Sequence, residues 1–320
     1  MTDVPEGSTK PAPAPRRAEL GLLQRINRSR ADYVYVLPAI LLMAIIIAYP
    51  IFYTIRLSFY STPKSLAMDQ KIWAGFDNYR KVLEWDQFHN TTVQTMVWTF
   101  VSTGFAVGLG LATALVVARN FRLRSISRGI LMVPWVISAV AAAYVWRWIL
   151  HSDLGLFSAI LMRFGIISEP IVILDDPSRA MWAIILVNVW KEFPFAMIML
   201  LAGLQTVPEQ LYRAALVDGA GTVNRFIHVT LPHLRPVTIV TVLLLVLQNL
   251  NSFTLVWLMT AGGPVHSTDI WIVDIYVLAF QKINFGVASA YSVILFLVMM
   301  SFGWFYVRAL SGDTKERKAA

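Results

Sequence analysis

A chain of 320 residues that is 57% hydrophobic and only 14% charged, with a mean hydropathy of +0.60, is too apolar for a soluble domain, where charged residues make up roughly 25%. Its long apolar blocks place it among membrane proteins. The lack of cysteine excludes disulfides, thiolate nucleophiles and cysteine metal sites, and the formal net charge of +8 reflects basic loops beside apolar spans rather than a nucleic-acid surface.

In chain order, residues 1–30 form an N-terminal tail. Residues 1–18 hold Pro5, Pro11, Pro13 and Pro15 with few apolar residues, the composition of a disordered segment. Residues 19–30 place Leu20, Leu23 and Ile26 near Arg25, Arg28 and Arg30, which predicts a short amphipathic helix at the cytoplasmic membrane surface. The body, 31–310, contains six apolar spans: Tyr33 to Ile55, Val93 to Ala118, Ile126 to Leu150, Ala180 to Leu204, Val237 to Met259 and Val287 to Val307. Each is long enough to cross a hydrocarbon core of ~30 Å. Gly104, Gly108 and Ala112 form a small-residue row on the second span, suited to close helix contact. Pro134 predicts a kink in the third. Residues 311–320 form a cytoplasmic tail.

Six spans put both termini on one side. The tails and even-numbered connections hold 17 of the 27 lysines and arginines, and the opposite loops hold 8. This bias predicts cytoplasmic termini in a multi-pass cell membrane protein, with the 208–236 loop on the same side.

That loop has a clear helix grammar. Pro208 and Glu209 suit a helix start. Leu211, Ala214 and Ala215 make an apolar stripe, and Gly219 and Gly221 allow a sharp reversal. A second helix, about Val223 to Thr230, is expected to end before Pro232. Two short helices with an apolar corner fit either docking on a protein partner or resting on lipid.

No phosphate-binding GxxxxGK[ST] loop, GxSxG elbow or metal-ligand cluster occurs, so neither catalytic residues nor a cofactor or metal site is expected. The chemistry lies in polar groups within the spans, where uncompensated polarity is costly. Asn188, Lys191, Glu192 and Phe195 follow i, i+3, i+4, i+7 spacing and are expected to share a face. Gln248, Asn249 and Ser252 share a face of the next span. Amides and hydroxyls beside Phe195, Phe253 and Trp190 suit a sugar, because amides bond hydroxyls and rings stack on C–H faces. The alternative is interhelical hydrogen bonding with a Lys191–Glu192 pair or a snorkelling lysine.

The loop sequence, P-E-x-L-Y-x-A-A-x-x-D-G-A-x-x-x-x-x-F-x-x-x-T-L-P-x-L-x-P, resembles the cytoplasmic EAA loop of permease subunits of binding-protein-dependent ABC importers. It is similar in particular to the group that includes maltose, trehalose and glycerol-3-phosphate permeases. N-x-W-K-x-x-P-F at Asn188–Phe195, L-A-G-L at Leu201–Leu204 and the Gly262-Gly263-Pro264 turn extend the likeness. The resemblance implies an all-α membrane permease of the type I importer fold, with six transmembrane helices and a coupling helix docked on a separate ATPase. It implies coupling roles for Arg213, Ala214, Ala215, Asp218, Gly219 and Gly221, and a sugar site at Asn188, Lys191, Glu192, Phe195, Gln248, Asn249 and Ser252. The implied partners are a second permease chain, two ATPase subunits, an extracytoplasmic solute-binding protein, the sugar and membrane lipid. Arg213 stands where the family usually carries glutamate, so no contact of that carboxylate is implied. A carrier driven by an ion gradient, with Lys191, Glu192 and Asp274 as its relay, is the alternative from another class; a membrane scaffold without transport is a third.

Overall fold

The computed structural model describes residues 30–61, 72–119 and 121–319, with side chains described between 35 and 308. The tail and the amphipathic segment expected within residues 1–29 lie outside the described residues. The chain divides into two units at Tyr53–Thr54. In the first, α1 (Arg30–Met43) passes through a π-helical turn at Ala44–Ala48 into α2 (Tyr49–Ser58), whose second half belongs to the second unit. Its side chains from Tyr35 to Phe52, Ile45 and Ile46 among them, are exposed, which an apolar helix tolerates in a bilayer.

After α2, the second unit carries a two-residue antiparallel pairing of β1 (Tyr60–Ser61) with β2 (Ile72–Trp73), a small exception to the all-helical expectation. Helix α3 (Asp77–Leu83) follows. Its buried Asn78 donates to the carbonyls of Ser58 (2.8 Å) and Tyr60 (2.9 Å), satisfying backbone acceptors that the short pairing leaves open.

Helix α4 (Asp86–Ala118) has 33 residues, about 50 Å at ~1.5 Å per residue, so it extends well beyond the span read from hydropathy. The third span breaks into α5 (Arg124–Val136) and α6 (Ala139–Ile149), bent by 92°. The bend lies at Ile137 and Ser138, both extended, and not at Pro134, which stays inside α5. Ser138 caps α6 by accepting from the Ala141 amide at 3.2 Å. Helix α7 (Leu156–Arg163) leads to α8 (Ala180–Gln205), the central helix: 61% of its most apolar stretch is buried, against 39% or less in the other spans.

In the 208–236 loop, α9 (Glu209–Val217) and α10 (Thr222–Arg225) precede a π-helical turn at Phe226–Thr230 and α11 (Leu231–Leu250). The second loop helix therefore does not end before Pro232; it runs on into the fifth span, Thr222–Leu250. The wider π turn accommodates the ring and missing amide of Pro232 without ending the helix. The fifth span stops at Leu250 instead of continuing to Met259, and α12 (Thr254–Thr260) resumes after a break. Helix α13 (Trp271–Tyr276), a π turn at Val277–Gln281 and α14 (Phe285–Ala319) complete the chain. The backbone of α14 stays helical through most of the expected C-terminal tail.

Close packing of α4 on α8 occurs at Gly110, where an added Cβ would lie 2.6 Å from Ala196 Cβ. Ala106 and Ala114, one turn either side, are fully buried. Gly104 and Gly108 have open space around them, so the contact row is Ala106–Gly110–Ala114 rather than Gly104–Gly108–Ala112. Two small-residue rows run along this helix, and spacing alone cannot tell which one meets a neighbour.

Candidate functional site

The polar groups of α8 divide between two directions. Asn188 and Glu192, one turn apart, face α11. The Asn188 amide donates to Asn249 Oδ1 at 2.7 Å, and the Asn249 amide donates to Glu192 Oε2 at 3.0 Å and to Thr103 Oγ1 at 3.2 Å. Trp98 on α4 donates its indole N–H to the Asn249 carbonyl at 3.1 Å. All four side chains Asn188, Glu192, Asn249 and Trp98 are buried. Three helices are thus joined by a network in which each member meets a partner, the condition under which buried polarity is tolerated.

Lys191 and Phe195 face the broken third span. Lys191 Nζ donates to the Ile137 carbonyl at 2.7 Å, supplying a donor to backbone at the helix break. Phe195 stacks on Trp135, ring centroids 6.2 Å apart. The single face expected from the i, i+3, i+4, i+7 spacing is therefore two faces, each an i, i+4 pair. Trp190 meets Trp146 edge-on at 5.4 Å.

A cavity of about 430 Å³ lies where the two helix breaks meet α8. Ala139 borders it from the broken third span, and Asn251, Ser252 and Phe253 border it from the break after α11. Lys191, Asn188, Glu192 and Gln248 also line it. Irregular backbone inside a membrane is tolerated where it is buried in protein or lines a cavity. Of the seven expected site residues, the cavity gathers Asn188, Lys191, Glu192, Gln248 and Ser252; Asn249 is held behind it in the network, and Phe195 belongs to the Trp135 stack. Asn249 and Gln248 are sequence neighbours with opposite surroundings, one fully buried and the other exposed.

Sequence reasoning missed the contribution of α4. Thr91, Thr95, Thr99, Ser102 and Thr103 are all buried. Thr95 accepts from the Trp271 amide at 3.0 Å, and Thr92, between them, accepts from the Trp271 indole at 3.0 Å. The i, i+4 recurrence of hydroxyls at 91, 95, 99 and 103 was the available signal.

The 208–236 loop differs in kind. Arg213, Ala214, Asp218, Gly219 and Gly221 are exposed and Ala215 is half-buried. Leu211, Leu216, Val217, Val223 and Ile227 are exposed as well, Val217 at 88%. Arg213 pairs with Glu209 at 2.9 Å along α9, and Tyr212 Oη lies 2.9 Å from Thr230 Oγ1, tying α9 to the π turn. Pro208 is the residue before the helix, not its first turn. Gly219 adopts φ +77 and ends α9, with the Ala220 amide donating to the Ala215 carbonyl at 2.8 Å. Gly221, at φ −66 and ψ 172, takes a conformation open to any residue, with no atom near an added Cβ. Only one of the two glycines is therefore demanded by the turn.

Comparison with known proteins places this architecture. Residues 105–310 match the family described as "Binding-protein-dependent transport system inner membrane component". The chain is 33% identical over 287 residues to the trehalose/maltose transport system permease protein MalF of Thermococcus litoralis, covering 89% of this chain and 95% of that one. It is 33% identical over 273 residues to the sulfoquinovosyl glycerol transport system permease protein SmoG of Agrobacterium fabrum, covering 85% and 88%. Among solved structures, a bacterial ABC transporter involved in the import of the acidic polysaccharide alginate shares the fold, with a TM-score of 0.75, 24% identity and coverage of 90% and 98%. With five long apolar helices among the described residues, and a bent pair that makes a sixth span if counted as one, the chain belongs to the inner membrane components of binding-protein-dependent transport systems.

Proposed function

We propose that this chain is the permease subunit of an ATP-driven carbohydrate importer, paired with a second permease chain to enclose the pathway. Two cytoplasmic ATPase subunits would drive it and an extracytoplasmic solute-binding protein would deliver the sugar. The observation that carries this reading is the cavity at the junction of two helix breaks, bordered by the two helices that flank the 208–236 loop. Its donors and acceptors, Lys191, Gln248, Asn251 and Ser252, suit hydroxyls, and Phe253 offers a ring face. The relatives named above carry trehalose/maltose and sulfoquinovosyl glycerol in their names, which supports the sugar class. With the loop and both termini in the cytoplasm, the exposed apolar corner of α9 and α10 would seat in a cleft of an ATPase. Closure of the ATPases would then pull on α8 and α11 and change the side to which the cavity opens. Cargo can shift that equilibrium only through unequal affinity for the two states.

Lys191 and Glu192, two of the three groups an ion-driven relay would use, are bonded to Ile137 and Asn249, which disfavours proton release by those two on every cycle. The decisive measurement is uptake of labelled maltose or trehalose by vesicles holding the four-subunit complex with its binding protein. Uptake should require ATP and survive collapse of the pH gradient. Uptake by vesicles holding this chain alone, driven by a pH gradient, would overturn the proposal.

A further inference from the structure

A second cavity, of about 400 Å³, opens at the end of the bundle opposite the 208–236 loop. It is lined by Trp85, Trp257, His266, Asp269, Asp274 and Lys282, among others. Asp269 and Asp274 are 5% and 3% exposed. Asp269 is bonded to His266 Nδ1, and Asp274 Oδ2 is buried with no hydrogen bond of normal geometry, although the Thr91 hydroxyl lies close enough to favour its charged form. A buried carboxylate oxygen left in that state is costly. Burial pushes the Asp274 carboxyl up to about 7, with the nearby Asp269 adding to the rise, and pushes Asp269 up as well. Gly262, at φ +88, has no room for a Cβ because the Asp269 carboxylate lies against it, so the loop is built around this side chain.

The ligand class follows from the remaining walls. Among the described residues, no group of three or more His, Asp or Glu side chains is arranged to hold a metal ion. Two carboxylates disfavour an anion, while Lys282 is drawn over the Trp85 ring at 4.9 Å. Carboxylate acceptors beside indole rings suit neutral hydroxyls and the C–H faces of a pyranose. The two cavities also share one aromatic cluster. Phe253, which lines the first, stacks on Trp257, which lines the second, with centroids 5.6 Å apart and planes at 17°. Tyr276 packs on both, at 4.7 and 4.8 Å.

We propose that this cavity is a second saccharide subsite, which binds neutral sugar hydroxyls on Asp269 and Asp274 and passes the ring along Trp257, Tyr276 and Phe253 to the cavity at the helix breaks. The inference rests on the carbohydrate reading of the function. The test is photolabelling of the complete transporter with diazirine derivatives of maltose, trehalose and maltotetraose, followed by peptide mapping. Label should appear both within 248–255 and within 257–282, and unlabelled sugar should compete it away. Asp274→Asn should reduce label within 257–282 by about two- to tenfold, the range for one ordinary hydrogen bond, while label within 248–255 persists and reports an intact fold. If that variant fails to assemble, Trp85→Leu tests the stacking wall. Label confined to 248–255 in the unaltered protein, or unchanged at 257–282 in both variants, overturns the subsite alone. Absence of label from both peptides overturns the carbohydrate reading with it.

Discussion

The polar stretch at Asn188–Glu192 and the loop at Pro208–Pro236 both interrupt apolar sequence, yet they resolve in opposite ways. In the first, each polar group meets a partner from another part of the bundle: Asn188 and Glu192 meet Asn249, and Lys191 meets the Ile137 carbonyl at the break between α5 and α6. In the second, α9 and α10 contain no buried residue and leave Leu216, Val217 and Val223 exposed. A membrane interior penalises unsatisfied polar groups, so polarity there must be closed within the chain or face a wet cavity. Water penalises uncovered apolar surface, so an ordered loop that leaves its apolar side chains out supports the proposed docking on a partner. One stretch is finished by this chain, and the other is the one proposed to meet a second surface.

The largest expected effect comes from breaking the finished side. Asn249→Leu deprives Asn188 of an acceptor and Glu192 and Thr103 of a donor, at a cost of roughly 1–3 kcal/mol for each buried group left unpaired. A clear fall in melting temperature of the purified complex should accompany loss of uptake. Lost uptake at an unchanged melting temperature would mean instead that Asn249 contacts the cargo. Gln248→Ala, one residue away, sharpens the contrast. Because Gln248 is exposed and lines the cavity, uptake should fall while the melting temperature stays put.

The loop glycines separate strain from docking. Gly219→Val forces a branched residue into φ +77, costing about 1–2 kcal/mol, and should destabilise the loop even without partners. Hydrogen exchange across 209–225 reads that loss. Gly221→Val meets no such obstacle within the chain, so exchange should be unaltered while ATPase binding weakens. Unchanged ATPase binding would remove Gly221 from the interface. The smallest effect is expected at Arg213→Ala. The Glu209–Arg213 pair is exposed on both sides and contributes about 0.3–0.5 kcal/mol. A larger loss of ATP-coupled uptake than of loop stability would place Arg213 in contact with the partner.

Much of the fold was legible because hydrophobic length is a direct readout of membrane thickness. The break after Leu250 was not, because Asn251 and Phe253 carry no signal as strong as proline. The break in the third span was expected at Pro134 and lies at Ile137 and Ser138, where a serine cap and the Lys191 donor supply what the backbone loses. The candidate site was legible as a set of polar residues on two spans, but not as a division between Gln248 and Asn249 or between the two faces of α8. Those divisions depend on α4, whose Trp98 and Thr103 look unremarkable in an apolar segment.

The sequence by itself determined the membrane class, the number of spans, the family resemblance and the helix-turn-helix character of the 208–236 loop. These depend on local composition, spacing and turn chemistry, which act over a few residues. Tertiary structure alone decided which small-residue row of α4 packs on α8, which polar side chains close on one another and which are left to line a cavity. Those outcomes turn on which faces of separate helices meet, and helical periodicity specifies that a face exists without naming its partner.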